Sequence, residues 1–368
     1  MPHFLLPNFI VLNWPMVLQV VALGFIGGLI SGFIGSGGAF FLTPGLMNLG
    51  IPGVVTVGSN VAHKFGTALI GSKKHAEMGN VDKKLGIFVI LTSFVGIRFA
   101  IWISMLVKGN SEADHNLSLG DAASNLYISA VFVLILSFVA SYMLWDVLRS
   151  GKEGESGGPS TKLANFLAKL HLPPLISFPV ADVKISLWIL ILVGLILGYL
   201  EGTLGVSGVV GMPAMIYIFG VPTAVATGTE LYIATLMGAF TAVNYAYQGL
   251  VDIRLTLLLY LGSLLGVFIG AYGTKVVKEV MIRIVTGTVI LLCVLSRGVA
   301  IPMYFRQLGW IALDPEWDVY LNQVSKGLLY LAGLSGALLI LYIVIKAYRQ
   351  RRRIRTTLIE AKEVPERA

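Results

Sequence analysis

The chain alternates between long apolar runs and short polar clusters. Runs at 14–35, 54–72, 85–107, 126–148, 185–205, 223–245, 255–275, 281–297 and 326–347 approach the ~20 residues that a helix needs to cross a bilayer core. Two further runs, 38–50 and 208–220, are too short to span at ~1.5 Å of rise per residue. Each follows a glycine cluster and ends on Gly-Ile-Pro or Gly-Val-Pro. They read as half-helices or arms of a tight hairpin, which lipid tolerates only where protein or a cavity covers the broken backbone.

The polar and glycine positions recur. Residues 24–100 repeat as 194–270 at a constant offset of 170, without a gap. Nine glycines superpose, from Gly24/Gly194 through Gly38/Gly208 to Gly96/Gly266, with Pro52 on Pro222 and Val81-Asp82 on Val251-Asp252. With 16 and 13 glycines in windows of 77 residues, composition alone predicts about three coincidences, so the pattern is a duplication. A duplicated unit this apolar points to the transporter folds in which two repeats face each other across a central site.

Basic residues orient the segments. Lys73, Lys74, Lys83 and Lys84 mark 73–84 as cytoplasmic, and Glu112, Asp114 and Asp121 against Lys108 mark the next loop as external. Arg149, Lys152, Lys162, Lys169 and Lys184 return 149–184 to the inside. Counting onward places 246–254 outside, Lys275, Lys278 and Arg283 inside, 298–325 outside and the tail inside. The partner loops 73–84 and 246–254 fall on opposite sides, so the repeats are expected to be inverted. The expected fold is an all-α polytopic membrane protein of two inverted repeats, each with a broken or short helix hairpin, plus one extra C-terminal helix. Its parts are a first transmembrane repeat at 14–148, a cytoplasmic linker at 149–184 and a second transmembrane repeat at 185–297. An external loop at 298–325, the extra transmembrane helix at 326–348 and a basic cytoplasmic tail at 349–368 follow. Within the linker, Leu163, Phe166, Leu167 and Leu170 suit a short amphipathic helix on the inner leaflet.

Composition sharpens this picture. Of 368 residues 56% are hydrophobic and only 12% charged, against about a quarter charged in soluble domains. Cys293 is the single cysteine, so neither a disulfide framework nor a cysteine metal site is expected. Met1–Val11 shows no basic n-region and no clear cleavage site, so the first helix is expected to act as an uncleaved signal. The net charge of +8 is concentrated in Arg349–Arg355. Directly after an apolar helix, that run reads as an anchor against anionic lipid in the cell (inner) membrane, with the C-terminus cytoplasmic, and not as a nucleic-acid site.

Candidate chemistry lies in the turns and in the buried charges. The turn Gly35-Ser36-Gly37-Gly38 and its partner Gly205-Val206-Ser207-Gly208 would let a restarting helix aim N–H groups and a positive dipole end at an anion. The four-spaced Gly24, Gly28, Gly32 and Gly194, Gly198, Gly202 suit close helix packing instead. Ser59-Asn60 and Thr229-Glu230 follow in register; their hydroxyls either donate to an oxyanion or bond back to their own helices. Ionisable groups at membrane depth need a reason, and His63, Lys64, Arg98, Glu201 and Glu230 are such groups. One reading gives Lys64 or Arg98 the attraction of an anion and Glu230 or Glu201 the uptake of a coupling proton. The other is a structural ion pair between the repeats, such as Lys64–Glu230.

No nucleophile elbow, metal-binding helix motif, Walker loop or haem motif is present, so no enzyme activity and no cofactor are expected. At the glycine turns, Gly-Phe-Ile-Gly-Ser-Gly-Gly-Ala-Phe-Phe-Leu-Thr-Pro at 32–44, Val-Gly-Ser-Asn at 57–60 and Gly-Val-Pro-Thr-Ala-Val-Ala-Thr-Gly-Thr at 220–229, the chain resembles the sulfite exporter TauE/SafE family over about 14–297. The resemblance implies a secondary carrier of sulfite, sulfonates or other small sulfur-containing anions. Its partners would be a small anionic substrate, a coupling proton (with sodium as the alternative) and the lipid bilayer; a homo-oligomer stays open. A passive anion channel using the same turns is the competing class. Ser207, where the family more often has a fuller glycine run, and the helix at 326–347 depart from the pattern.

Overall fold

The computed structural model describes residues 10–34, 38–109, 117–150, 172–274 and 279–363, with Ala164, Phe166 and Val277 between them. The first half holds α1 (Trp14–Ile34), α2 (Ala39–Asn48), α3 (Gly53–Glu77), α4 (Lys83–Lys108) and α5 (Leu117–Ser150). A hairpin of β1 (Leu175–Phe178) and β2 (Val183–Ser186) precedes α6 (Leu187–Leu204), α7 (Gly208–Tyr217), α8 (Thr223–Tyr247), α9 (Ile253–Thr274), α10 (Glu279–Gln307) and α11 (Glu316–Glu363). Among the described residues seven helices, α1, α4, α5, α6, α9, α10 and α11, are long and apolar enough to cross a membrane. The protein is an all-α polytopic membrane protein. On α4, Ile87, Leu91, Val95, Phe99, Trp102 and Leu106 are exposed at the three- and four-residue spacing of one helix face, the stripe that lipid covers. The α3 and α8 helices are less apolar and pack against each other, with Ser59, Asn60, His63, Lys64, Thr229 and Glu230 buried.

The two short helices are real, at 10 residues each. Elsewhere the elements run past their hydropathic limits. The helix expected at 281–297 continues to Gln307 and the last one starts at Glu316, leaving only 308–315 of the expected external loop 298–325 as a connection. Helix also extends through 349–363 of the expected tail. Hydropathy marks only the part of a helix that faces lipid, whereas polar end turns satisfy their own backbone in water. The linker holds a hairpin that its composition does not announce, with Leu175 opposite Ser186 and Phe178 opposite Val183. The expected amphipathic helix falls, apart from Ala164 and Phe166, outside the described residues.

The repeats exchange helices: α1 packs on α9, and α4 on α6. The four-spaced glycines are the cause. A Cβ on Gly28 would lie 2.5 Å from the backbone oxygen of Ser263, and one on Gly198 2.1 Å from that of Ser93. Both members of the second contact differ from those of the first by 170 positions. The same exchange holds at the helix entrances. Asp82 Oδ1 accepts from Leu85 N–H at 2.9 Å, capping α4, and its Oδ2 accepts from Val180 N–H at 3.2 Å and Ala181 N–H at 3.0 Å in the hairpin turn. Its repeat partner Asp252 accepts from Ile10 N–H at 3.1 Å, again with both residues shifted by 170. The duplication therefore reaches back to residues 10 and 180. This pairing is what a two-fold relation between the repeats produces and is consistent with their inversion.

Candidate functional site

The centre is built where two helices break. Gly205, at φ +73°, ends α6 by donating its N–H to Glu201 O at 2.9 Å, and α7 restarts at Gly208. Only glycine reaches that φ without strain. The turn leaves the Gly205 carbonyl and the Ser207 hydroxyl facing α3. Lys64, on α3 and 1% exposed, fills the gap. Its Nζ forms an ion pair with Glu201 Oε2 and donates to Gly205 O at 3.2 Å and to Ser207 Oγ at 3.1 Å. An ammonium has three donors, so these partners use all of them. The negative end of α6 also faces the ammonium.

The expected ion pair between repeats thus exists, with Glu201 and not Glu230 as the partner of Lys64. Glu230 is equally buried at 1% exposure, close enough to Lys64 and Glu201 to feel both charges. Glu201 Oε1 has no hydrogen-bond partner among the described residues, and the Ser207 hydroxyl is the donor beside the Glu230 carboxylate. That carboxylate lies against α7, where a Cβ on Gly211 would sit 2.3 Å from Glu230 Oε2. Asn60, the repeat partner of Glu230, turns to the other short helix: its Nδ2 donates to Thr43 Oγ1 at 3.0 Å, and Thr43 donates to Leu204 O at 3.0 Å. His63 stands apart, with Nε2 2.7 Å from Ser263 Oγ and its ring against Tyr260.

Several expected site residues lie elsewhere. Arg98 is exposed on α4 and donates to Asn244, away from the Lys64 cluster; central along its helix, it points outward. Ser59 and Thr229 are joints between the repeats. Ser59 Oγ accepts from Asp252 N–H at 2.9 Å and Thr229 Oγ1 from Asp82 N–H at 3.0 Å, each across the boundary between the repeats. Gly38 packs on α1, its absent Cβ 2.5 Å from Gly27 O. Gly35, Ser36 and Gly37 fall outside the described residues.

A cavity of about 450 Å³ leads towards this centre. Lys74 and His75 lie at its rim, and Thr67, Gly208 and Ser31 line its inner part. Thr67, one turn along α3 from Lys64, donates its Oγ1 to Lys64 O at 3.0 Å; Lys64, Glu201 and Glu230 themselves do not line the cavity. Arg283 and Tyr217 also line it; both donate to Asp146 Oδ2, at 2.7 and 2.9 Å. This cluster escaped the sequence reading, because Asp146 and Arg283 sit near the ends of apolar runs, where charges are ordinary. Tyr245, the repeat partner of His75, is fully buried and donates to Gly202 O at 2.7 Å. His75 thus borders the cavity, whereas the equivalent Tyr245 is packed inside the protein.

Broken helices meeting at a buried charge cluster, inside a bundle of apolar spans, define a membrane transporter of small molecules. The chain belongs to the sulfite exporter TauE/SafE family, whose profile matches residues 20–297. It is 26% identical over 261 residues to the probable membrane transporter protein YjnA of Bacillus subtilis (strain 168), covering 70% of this chain and 90% of that protein. The probable membrane transporter protein YdhB of the same organism is 24% identical over 271 residues, covering 72% and 94%. No solved structure shows a significant match.

Proposed function

We propose that the chain is a secondary carrier of small sulfur-containing anions, such as sulfite or sulfoacetate, working by proton-coupled alternating access between two inverted repeats. The observation that carries this reading is one buried ammonium, Lys64, set against two buried carboxylates, Glu201 and Glu230. With both carboxylates ionised the centre is negative and repels an anion. Protonation of Glu201 releases Lys64 Nζ, whose positive charge is then left for an oxyanion. Ser207 Oγ and the first-turn N–H groups of α7 lie beside it to receive the remaining oxygens. Glu230, buried beside the Lys64–Glu201 pair, is the leading group to take up the proton and hand it on. Anion and proton thus bind together and leave together. The Lys74/His75 rim, on the cytoplasmic side by the charge bias, makes this the inward-open arrangement.

The test is uptake into proteoliposomes of radiolabelled sulfite, sulfoacetate, thiosulfate and sulfate, with and without an imposed pH gradient. Saturable, gradient-sensitive uptake of one of them is expected. No uptake of any by correctly inserted protein breaks the sulfur assignment, and an ohmic, unsaturable current makes the protein a pore.

A further inference from the structure

The α10 helix carries two buried arginines with opposite surroundings. Arg283 has its carboxylate, Asp146. Arg297 is 1% exposed and among the largest fully buried side chains, and it makes no ion pair with any carboxylate among the described residues. Its Nη2 donates to Tyr304 Oη at 3.3 Å, and the guanidinium carbon lies 5.9 Å from the centroid of that ring. Nε and Nη1 have no partner although both are enclosed. Arg297, Ala300 and Tyr304 share one face of α10, and Ala300 and Tyr304 pack with Leu126 of α5 in a small cluster separate from the main core. The nearest polar groups along the chain are occupied: Ser296, Asn48 and Ser325 satisfy one another across α10, α2 and α11.

An enclosed lysine or carboxylate can escape the cost of burial by becoming neutral, but an arginine keeps its proton in proteins. A buried guanidinium with unused N–H donors and no carboxylate among the described residues is therefore equipped to take up an anion. A guanidinium matches the planar spacing of oxyanion oxygens and forms paired, charge-assisted hydrogen bonds to them. We propose that Arg297 is an oxyanion site, distinct from the Lys64 centre, formed between α10 and the first half of α5 and closed on one side by Tyr304. It takes a tetrahedral or pyramidal oxyanion, either free in solution or as the phosphate of a lipid headgroup.

The site is tested by binding, so its fate is independent of any transport result. The purified full-length chain is melted in detergent buffered with gluconate salts, while sodium sulfate replaces gluconate at constant ionic strength. The wild-type melting temperature is expected to rise saturably with sulfate. The rise is lost in Arg297→Gln and retained in Lys64→Gln, and Arg297→Lys needs roughly tenfold more sulfate for the same shift, because an ammonium lacks the planar fork. In gluconate alone Arg297→Gln melts at or above wild type, since an uncompensated buried charge has been removed; a lower melting temperature there would contradict the inference. A parallel series with phosphatidylglycerol in the micelles separates the sources. A shift seen only with that lipid, and lost in Arg297→Gln, assigns the anion to a headgroup phosphate. No shift with either, or a shift that survives in Arg297→Gln and vanishes in Lys64→Gln, overturns the site.

Discussion

Lys64 and Glu201 form an ion pair between α3 of one repeat and α6 of the other, with side chains 1% and 0% exposed. Their repeat partners are Ala234 and Ser31, so this pair has no counterpart, unlike the matched joints at Asp82 and Asp252. Removing one member of a buried pair leaves the other uncompensated, at a cost of about 3–5 kcal/mol. Lys64→Met should therefore lower the melting temperature and abolish uptake. Lys64→Met with Glu201→Gln should recover most of the stability and none of the uptake. Flux in the stable double variant would remove Lys64 from the mechanism.

Glu230 predicts the opposite combination. Because the donor beside its carboxylate is the Ser207 hydroxyl, which a glutamine oxygen can also accept from, Glu230→Gln should change the melting temperature little. Uptake should persist down an anion gradient but stop responding to an imposed pH gradient. Unaltered proton dependence would exclude it as the coupling group.

Asp252 governs a pH effect outside the spans. Burial opposes its ionisation, but hydrogen bonds from the Arg254 side chain and from the N–H groups of Ile10 and Arg254 outweigh this and hold its carboxyl below the ordinary value of 3.8. A depressed folded value means that the ionised clasp stabilises the protein above the unfolded value and is lost as pH falls through the folded one. The melting temperature should accordingly drop below about pH 4, and Asp252→Asn should start lower and lose that part of the slope. An identical acid limb in both proteins would show that the clasp contributes nothing.

Gly28 and Gly198 should respond alike. In each the neighbour of an added Cβ is backbone, which cannot step aside, so Gly28→Ala and Gly198→Ala should each cost about 1–3 kcal/mol. Gly327, on the exposed side of α11 with nothing within 4 Å, is the control. There alanine should stabilise by up to ~1 kcal/mol. Thermal melts of the three variants decide this.

Arg98→Gln should change uptake by less than about twofold, because the guanidinium lies on an exposed face with Asn244 and exposed polar changes usually cost little. This residue also marks where sequence legibility ends. Depth along a helix is readable from hydropathy, and it brought out Lys64, Glu201 and Glu230 correctly as buried. Direction around the helix was readable too: Arg98 falls among Leu91, Val95, Phe99 and Trp102, the exposed stripe, so its neighbours already pointed it outward. The choice of Glu201 over Glu230 as the partner of Lys64 was not readable. It depends on which carboxylate the α6–α7 turn brings to α3, a distance that no periodicity encodes. The glycine register marked close helix packing, because backbone contact admits no other residue, but it did not name the helices that exchange. The role of the Ser59 and Thr229 hydroxyls as joints was not readable, since a joint between repeats and an anion donor ask for the same residue type.

The contact of α1 with α9 also sets a schedule for synthesis. Roughly 240 residues separate the end of α1 from the end of α9, and at ~5–20 residues per second a ribosome needs about 12–48 s to deliver them. For that time the groove cut by Gly24, Gly28 and Gly32 has no backbone to receive. The first helix must wait in the bilayer for a partner that does not yet exist, and a chain stopped after one repeat would never supply it.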